Sequence, residues 1–340
     1  MRPRLPIRTA TAAALCSVFV FPSSSHTQGT PLFRSKTDLV VVPVTVTDRA
    51  GRFVNDLTPD EFEIADGAGR RPVIQFATER VPVSLGILLD ISGSMAADAK
   101  ARAVDDARWA DTRRALQLLV DRLNPRDEVF FAPFSDKVGL AVPWTCEHDR
   151  VPRAFDALRP GGYTALFDAV RLIVPAFQRA EHVRKVLLVI SDGRDSLVPH
   201  IASAPVQSNG LTRAQQVQSE IYYRQKALRD TAVGAAQQIV SKSGASLYAI
   251  GMGTGKDAFV DLVNLEGLTA DTGGYVEAIK ESSEIRAAVG RIFDELQSQY
   301  MLAFEPAHAD GRYHEISVTT RNRDLRVRAR PGYTAPDGKK

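Results

Sequence analysis

The sequence predicts a doubly wound α/β domain built on a mostly parallel sheet and inserted between two halves of a small β-sandwich-like domain. Three patterns carry that expectation. Runs such as "VSLGILLD", "EVFFAPFS", "KVLLVISDG" and "ASLYAIGMG" are apolar throughout, as strands buried on both faces must be. Amphipathic stretches with helical spacing lie between them, at 98–123, 164–180, 221–243 and 282–299, and this alternation places helices on both sides of the sheet. On either flank the period changes to two, the signature of strands with one buried face.

The N-terminus comes first in chain order. Arg2, Arg4 and Arg8 precede the apolar stretch "ATAAALCSVFVF", which gives way to the polar "PSSSHTQGT". The apolar part is shorter than the ~20 residues a bilayer span requires, so residues 1–28 read as a secretory signal and the processed chain keeps no membrane span. Export then sets the location as periplasm, cell surface or medium. Removing the three arginines leaves 43 − 3 = 40 basic against 40 acidic side chains, a balance that excludes a nucleic-acid surface. Of the two cysteines, Cys16 goes with the signal and Cys146 remains alone, so no internal disulfide is expected.

Residues 35–80 form the first β half. "VVVPVTVTD" puts Val42, Val44 and Val46 on one face and Pro43, Thr45 and Thr47 on the other. "TPDE" at 58–61 has the form of a capping box with proline at the first helical position. "FEIADG" and "PVIQF" then read as short strands around an Asp66-Gly67 turn. The α/β domain occupies 81–297, and its serine-, proline- and glutamine-rich segment 194–220 reads either as a functional loop or as a disordered insertion. Residues 298–336 are the second β half, followed by a tail at 337–340. There "LRVRARPGY" opposes Leu325, Val327 and Ala329 to Arg326, Arg328 and Arg330. Those arginines could meet an acidic partner, but a solvated strand face is the simpler reading. Neither β half is large enough to stand alone, so the two are expected to pair.

"LLDISGSM" at 88–95 supplies the chemistry. An apolar strand ends in Asp90, and Ser92 and Ser94 follow at alternate positions, so that an extended loop aims all three to one side. One carboxylate and two hydroxyls suit a hard cation such as Mg²⁺. "GGYTALFDAV" adds Thr164 at a helix start, and "VLLVISDGRDS" adds Asp192 at the end of the most apolar strand. Turn and cap chemistry explains each of these residues singly; their recurrence at element boundaries on one sheet edge favours a shared site.

With these residues in view, 81–297 resembles a von Willebrand factor type A domain, and Asp90, Ser92, Ser94, Thr164 and Asp192 match the five positions of its metal-ion-dependent adhesion site. The segments "VTVTDRAGRFVNDLTPDEFEIADG" and "YMLAFEPAHADGRYHEISV" resemble an exported bacterial, acidobacterial-type group of such proteins. The resemblance implies that Ser92 and Ser94 hold Mg²⁺, or Mn²⁺ or Ca²⁺, directly, and that Thr164 does so directly or through water. Asp90 and Asp192 would act mainly through waters. It further implies a binding function in which the partner is a protein presenting a Glu or Asp carboxylate. Asp168 and Asp195 are candidates to orient the site, with helix and turn chemistry as the equal alternative.

Enzymatic readings fare worse. A haloacid dehalogenase-type phosphatase needs an acid-base aspartate two residues after its nucleophile, where this chain has Ser92. "GMGTGKD" at 251–257 lacks both the first glycine and the hydroxyl of a phosphate loop. The six histidines show no metal-ligand spacing. The chain is therefore expected not to be an enzyme; the alternatives are a metal-dependent hydrolase or a scaffold with a vestigial site.

Overall fold

Alternating apolar residues and fully apolar runs become two kinds of sheet in the computed structural model, which describes residues 39–67, 69–78, 80–96, 106–198, 212–253 and 260–337. The signal segment and the tail at 338–340 lie outside the described residues, as do 97–105, 199–211 and 254–259. The first flank contributes β1 (Val40–Thr47), β2 (Phe62–Asp66), β3 (Gly69–Arg71) and β4 (Gln75–Ala77). A 3-10 turn at Pro59–Glu61 precedes β2, and Glu61 accepts from both the Thr58 backbone N–H (2.8 Å) and its hydroxyl (3.1 Å).

The α/β body then runs β5 (Val83–Asp90), α1 (Gly93–Ala96), α2 (Asp106–Asp121), β6 (Glu128–Phe134), β7 (Val142–Thr145), α3 (Arg150–Asp156) and α4 (Leu166–Ile173). It continues through β8 (Arg184–Ser191), α5 (Arg213–Ser243), β9 (Ser246–Met252), α6 (Leu262–Thr269), β10 (Val276–Ile279) and α7 (Ile285–Gln297). The second flank supplies β11 (Tyr300–Phe304), β12 (Tyr313–Thr320), β13 (Arg326–Arg328) and β14 (Gly332–Thr334).

The central sheet has the order β10-β9-β8-β5-β6-β7, parallel except at the β6–β7 edge. All eight residues of β5 are buried, because helices cover both faces. Leu85, Ile87 and Leu89 pack with α2, α3 and α7, whereas Leu88 packs with α4, α6 and the end of α5. Gly86 leaves room for the Phe130 ring, which any Cβ there would strike. β6 pairs with one side of β5 and β8 with the other, so the strand order reverses between β5 and β8. In open α/β sheets a reversal of this kind forms a crevice at the C-terminal ends of the two strands.

The two flanks pair as expected. One sheet runs β13-β1-β11-β4 and another β14-β12-β2-β3, so each mixes strands from both ends of the chain. Their inner faces share a core of Val40, Val42, Val44, Val46, Phe62, Ile64, Tyr300, Phe304 and Tyr333. Each fully buried large side chain in such a core contributes about 2 kcal/mol.

Three expectations need correction. The helix expected from 221 begins at Arg213, with Thr212 and Gln215 forming a reciprocal cap, so the connection after β8 is shorter than the 194–220 reading. The edge strand β7 and the helices α3 and α6 were not anticipated; they are only 4, 7 and 8 residues long, too short for periodicity to register. Finally, the arginines of 326–330 are not a uniformly solvated face. Arg326 is exposed, but Arg328 lies over the Tyr275 ring and pairs with Glu295, and Arg330 donates to the Val41 carbonyl. The α/β body packs against that face, a long-range fact that strand alternation does not encode.

Candidate functional site

The crevice between β5 and β8 gathers the chemistry-bearing residues. Asp90 ends β5 and is 1% exposed; Ser92 is likewise buried, and Ser94 is half-buried at the start of α1. The chain turns tightly here because Asp90 Oδ1 accepts from the Ser92 N–H (2.9 Å), an Asx turn that aligns the next hydroxyl. The Ser92 and Ser94 hydroxyl oxygens then lie 3.2 Å apart. From the neighbouring strand, Ser191 donates to Asp90 Oδ2 (2.7 Å). The next residue, Asp192, has a fully buried side chain.

Thr164 is brought to the same crevice through backbone contacts. Gly161 N–H donates to Ile91 O (2.7 Å) and Gly93 N–H to Gly162 O (3.0 Å), which fastens the 161–164 loop to the Asp90 loop. Ser196 clasps Thr164 from the other side: its N–H donates to Thr164 O (2.7 Å) and its hydroxyl accepts from Thr164 N–H (3.1 Å). Among the described residues no hydrogen bond joins the Thr164 hydroxyl to the other four side chains. Gly193 has φ +77 and admits no Cβ beside the Asp261 carbonyl, and the Asp192 carbonyl accepts from Asp261 N–H (2.8 Å). The loop after β8 is thus braced from behind.

Electrostatics distinguish this crevice from an ordinary set of turns. Burial pushes the Asp90 carboxyl up to about 7 against the pull of hydrogen bonds from Ser191 and Ser92, and the Asp192 charge beside it adds to the rise. Asp192 Oδ1 accepts from Arg194 N–H (3.0 Å), but Oδ2 is buried with no hydrogen-bond partner. Arg194 Nε stands 3.7 Å from that oxygen on a side chain 44% exposed, beyond hydrogen-bond reach and open to solvent screening. Two buried carboxylates, one with an unmatched oxygen, beside three hydroxyl-bearing residues form a hard-oxygen donor set that fits Mg²⁺, Mn²⁺ or Ca²⁺. Among the described residues no group of three or more His, Cys, Asp or Glu converges as a metal cage, so this fit rests on hydroxyls as much as on carboxylates.

Asp195 and Asp168 resolve towards local structure. Asp195 Oδ2 accepts from Phe167 N–H (3.1 Å) at the start of α4, and Oδ1 from Leu197 N–H (2.8 Å) and Val198 N–H (3.2 Å). It organises the loop that holds Thr164. Asp168 pairs with Arg171 at 3.2 Å on the exposed side of α4. Sequence reasoning missed Ser191 and Ser196. Ser191 was detectable in principle, as the one polar residue between the apolar run of β8 and Asp192. Ser196 acts only through contacts with a segment more than thirty residues away.

No imidazole approaches the crevice among the described residues. His148 bonds to Asp127 O and His182 to Arg126 O beside the start of β6, at the opposite end of the sheet, and His314 bonds to Asp310 in the flank. Among the described residues, also, no helix is long and apolar enough to cross a membrane.

Comparison with known proteins bears on the fold. Residues 85–194 match the von Willebrand factor type A domain family, a segment that runs from β5 to the loop after β8 and includes all five predicted site residues. A search of curated proteins finds no match. Among solved structures, the von Willebrand factor domain of the type V pilus tip protein Mfa5 from Porphyromonas gingivalis is 14% identical, with a TM-score of 0.46 over 63% of this chain and 95% of that one. An aerotolerance-related membrane protein from Bacteroides fragilis is 17% identical, with a TM-score of 0.41 over 63% of this chain and 99% of that one. Proximal thread matrix protein 1 from the mussel byssus, in a form with a zinc-occupied metal-ion-dependent adhesion site, is 17% identical with a TM-score of 0.42. That match covers 63% of this chain and 48% of the mussel protein, about half its length.

Proposed function

We propose that the chain, which carries a von Willebrand factor type A segment, is an exported protein-binding module that works through a divalent cation. Asp90, Ser92, Ser94, Thr164 and Asp192 are its ligand set, directly or through water, with Mg²⁺ as the first candidate and Mn²⁺ or Ca²⁺ as substitutes. The observation that carries the reading is the buried Asp192 Oδ2 without a hydrogen-bond partner, in a crevice where Asp90 is already raised by burial and by the Asp192 charge. When bound, the ion supplies positive charge that neutral hydroxyls leave incompletely offset, so an acidic side chain of a partner protein is the natural remaining ligand.

The chain's own part is positioning. Asp90 turns the backbone so that Ser92 and Ser94 face the crevice, Ser191 fixes Asp90, and Asp195 with Ser196 holds the Thr164 loop. Binding of this kind needs no bond-making step, and in this reading the chain is a binding module and not an enzyme. In this reading residues 1–28 are the export signal, and the chain works outside the cytoplasm, in the periplasm, at the cell surface or in the medium. The flanking segments 35–80 and 298–336 form the platform that presents the crevice.

Thermal melting with and without Mg²⁺ tests the site. At tenfold its dissociation constant, an ion that binds only the folded state stabilises by RT ln 11, about 1.4 kcal/mol, or roughly 3 °C for a body of this size. Ser92→Ala combined with Ser94→Ala should abolish that rise and leave the metal-free melting point within a degree or two. A full Mg²⁺ response in the double variant overturns the ligand assignment. A phosphoester panel should show no turnover; sustained turnover that Asp90→Asn removes would establish a hydrolase instead.

A further inference from the structure

At the other end of the central sheet, the α/β body meets the flanking strands around a cleft of about 370 Å³, a volume typical of small-ligand sites. Lys185, the second residue of β8, and Arg330, between β13 and β14, both line it. Seven residue steps along β8 and just past its end lead from Lys185 to Asp192, about 23 Å, so the cleft is distinct from the crevice.

These cations lack what normally accompanies partly buried positive charge. No ion pair joins either to a carboxylate among the described residues, and the Lys185 ammonium makes no hydrogen bond there. Arg330 donates through Nη2 to Val41 O (2.8 Å), but its buried Nε has no partner. The Thr334 hydroxyl lines the same cleft and is also buried without a partner. Burial holds both cations below their ordinary range, Arg330 at about 10, and the Arg330 charge depresses Lys185 further.

A structural explanation is available for part of this. The C-terminal turn of α5, Ser241–Gly244, also lines the cleft, and a helix C-terminus carries about half a negative charge. Glu181 and Lys242 also line the cleft and are opposite in sign, so against Lys185 and Arg330 the helix end leaves an excess of more than one positive charge. An isolated buried cation is costly unless a partner offsets it, and a planar guanidinium beside an ammonium and a hydroxyl matches the donor set that recognises oxyanions.

We propose that this cleft binds a small oxyanion of carboxylate or phosphate type, held by Arg330, Lys185 and the Thr334 hydroxyl. The site is independent of the metal reading, since its residues belong to the junction and not to the crevice.

Melting of the full chain without divalent ions, in sodium phosphate, sodium acetate or sodium chloride at equal ionic strength, tests it, with ³¹P line broadening as a direct measure of binding. A saturable rise with phosphate or acetate beyond that with chloride is expected; the anion that produces it identifies the class. Arg330→Gln should abolish the rise, and Lys185→Met should weaken binding at least about tenfold, a loss of ~1.4 kcal/mol. Lys185→Met decides the matter if Arg330→Gln does not fold, because the Lys185 ammonium makes no hydrogen bond whose loss would unfold the chain. Responses to both anions no greater than to chloride, or undiminished affinity in Lys185→Met, overturn the proposal.

Discussion

Two clusters of buried polar groups on α7, β8 and their neighbours answer the same physical problem in opposite ways. At the junction with the flanking strands, Glu295 of α7 accepts from the hydroxyls of Thr45 (3.1 Å) and Tyr248 (2.9 Å) and pairs with Arg328. Gln299 donates to Thr45 and Tyr248 and accepts from Arg184, which also donates to Leu296 O. Each side chain of this network meets at least one partner supplied by the chain itself, with only the Nε atoms of Arg184 and Arg328 left over. At the crevice, Asp90 and Asp192 face each other's charge and one carboxylate oxygen goes unmatched. A network closed by the chain rigidifies a junction; one left open by the chain calls for something from outside.

The contrast predicts opposite responses to pH and mutation. The largest effect concerns Asp90 in metal-free protein. Its folded pKa of about 7 lies above the ordinary 3.8, so the folded state binds more protons than the unfolded one between these values. Stability therefore falls as pH rises through that window, by up to about 4 kcal/mol for a shift of roughly three units. Urea melts in EDTA from pH 4.5 to 7.5 should show the fall, and Asp90→Asn should flatten it. An equally steep fall in the variant would locate the effect elsewhere.

Next, Glu295→Ala should cost about 3 kcal/mol at any pH in that range, since it strands Arg328 and two buried hydroxyls at once. Denaturant midpoints measure it, and a loss below ~1 kcal/mol would mean that the junction is not the closed network described. A smaller loss, about 2 kcal/mol, is expected for Asp195→Ala, which frees three backbone N–H donors around the Thr164 loop. That variant should also bind Mg²⁺ more weakly, whereas Glu295→Ala should bind it normally. Smallest of all, Thr164→Val should cost less than about 1 kcal/mol without metal yet still reduce the Mg²⁺-induced rise in melting temperature. An unchanged rise would remove Thr164 from the ligand set.

Much of this architecture was legible before any coordinates. The all-apolar runs around Leu88, Phe131, Val189 and Ala249 announced strands covered on both faces, and β5, β6, β8 and β9 are such strands. The period-two flanks announced strands that need each other, and β1 pairs with β11 as β2 does with β12. The extended loop expected from the spacing of Asp90, Ser92 and Ser94 is instead an Asx turn that runs into α1, and this turn brings the Ser92 and Ser94 hydroxyl oxygens to 3.2 Å. Thr164 and Asp192 were readable only as boundary residues, and the turn at Ser196 that holds the Thr164 loop was not readable at all.

The sequence by itself determined which segments form buried strands, covering helices and half-buried flanks, and which oxygen-bearing residues stand at their boundaries. These follow from periodicity and short-range spacing, which act within a few residues. Only the tertiary structure decided which charges are closed and which are open: that Glu295 finds Arg328, that Ser191 fixes Asp90, and that Arg330 is held at the Val41 carbonyl instead of in solvent. The cost of a buried charge depends on what packs opposite it, and those groups come from segments as many as about 290 residues apart along the chain.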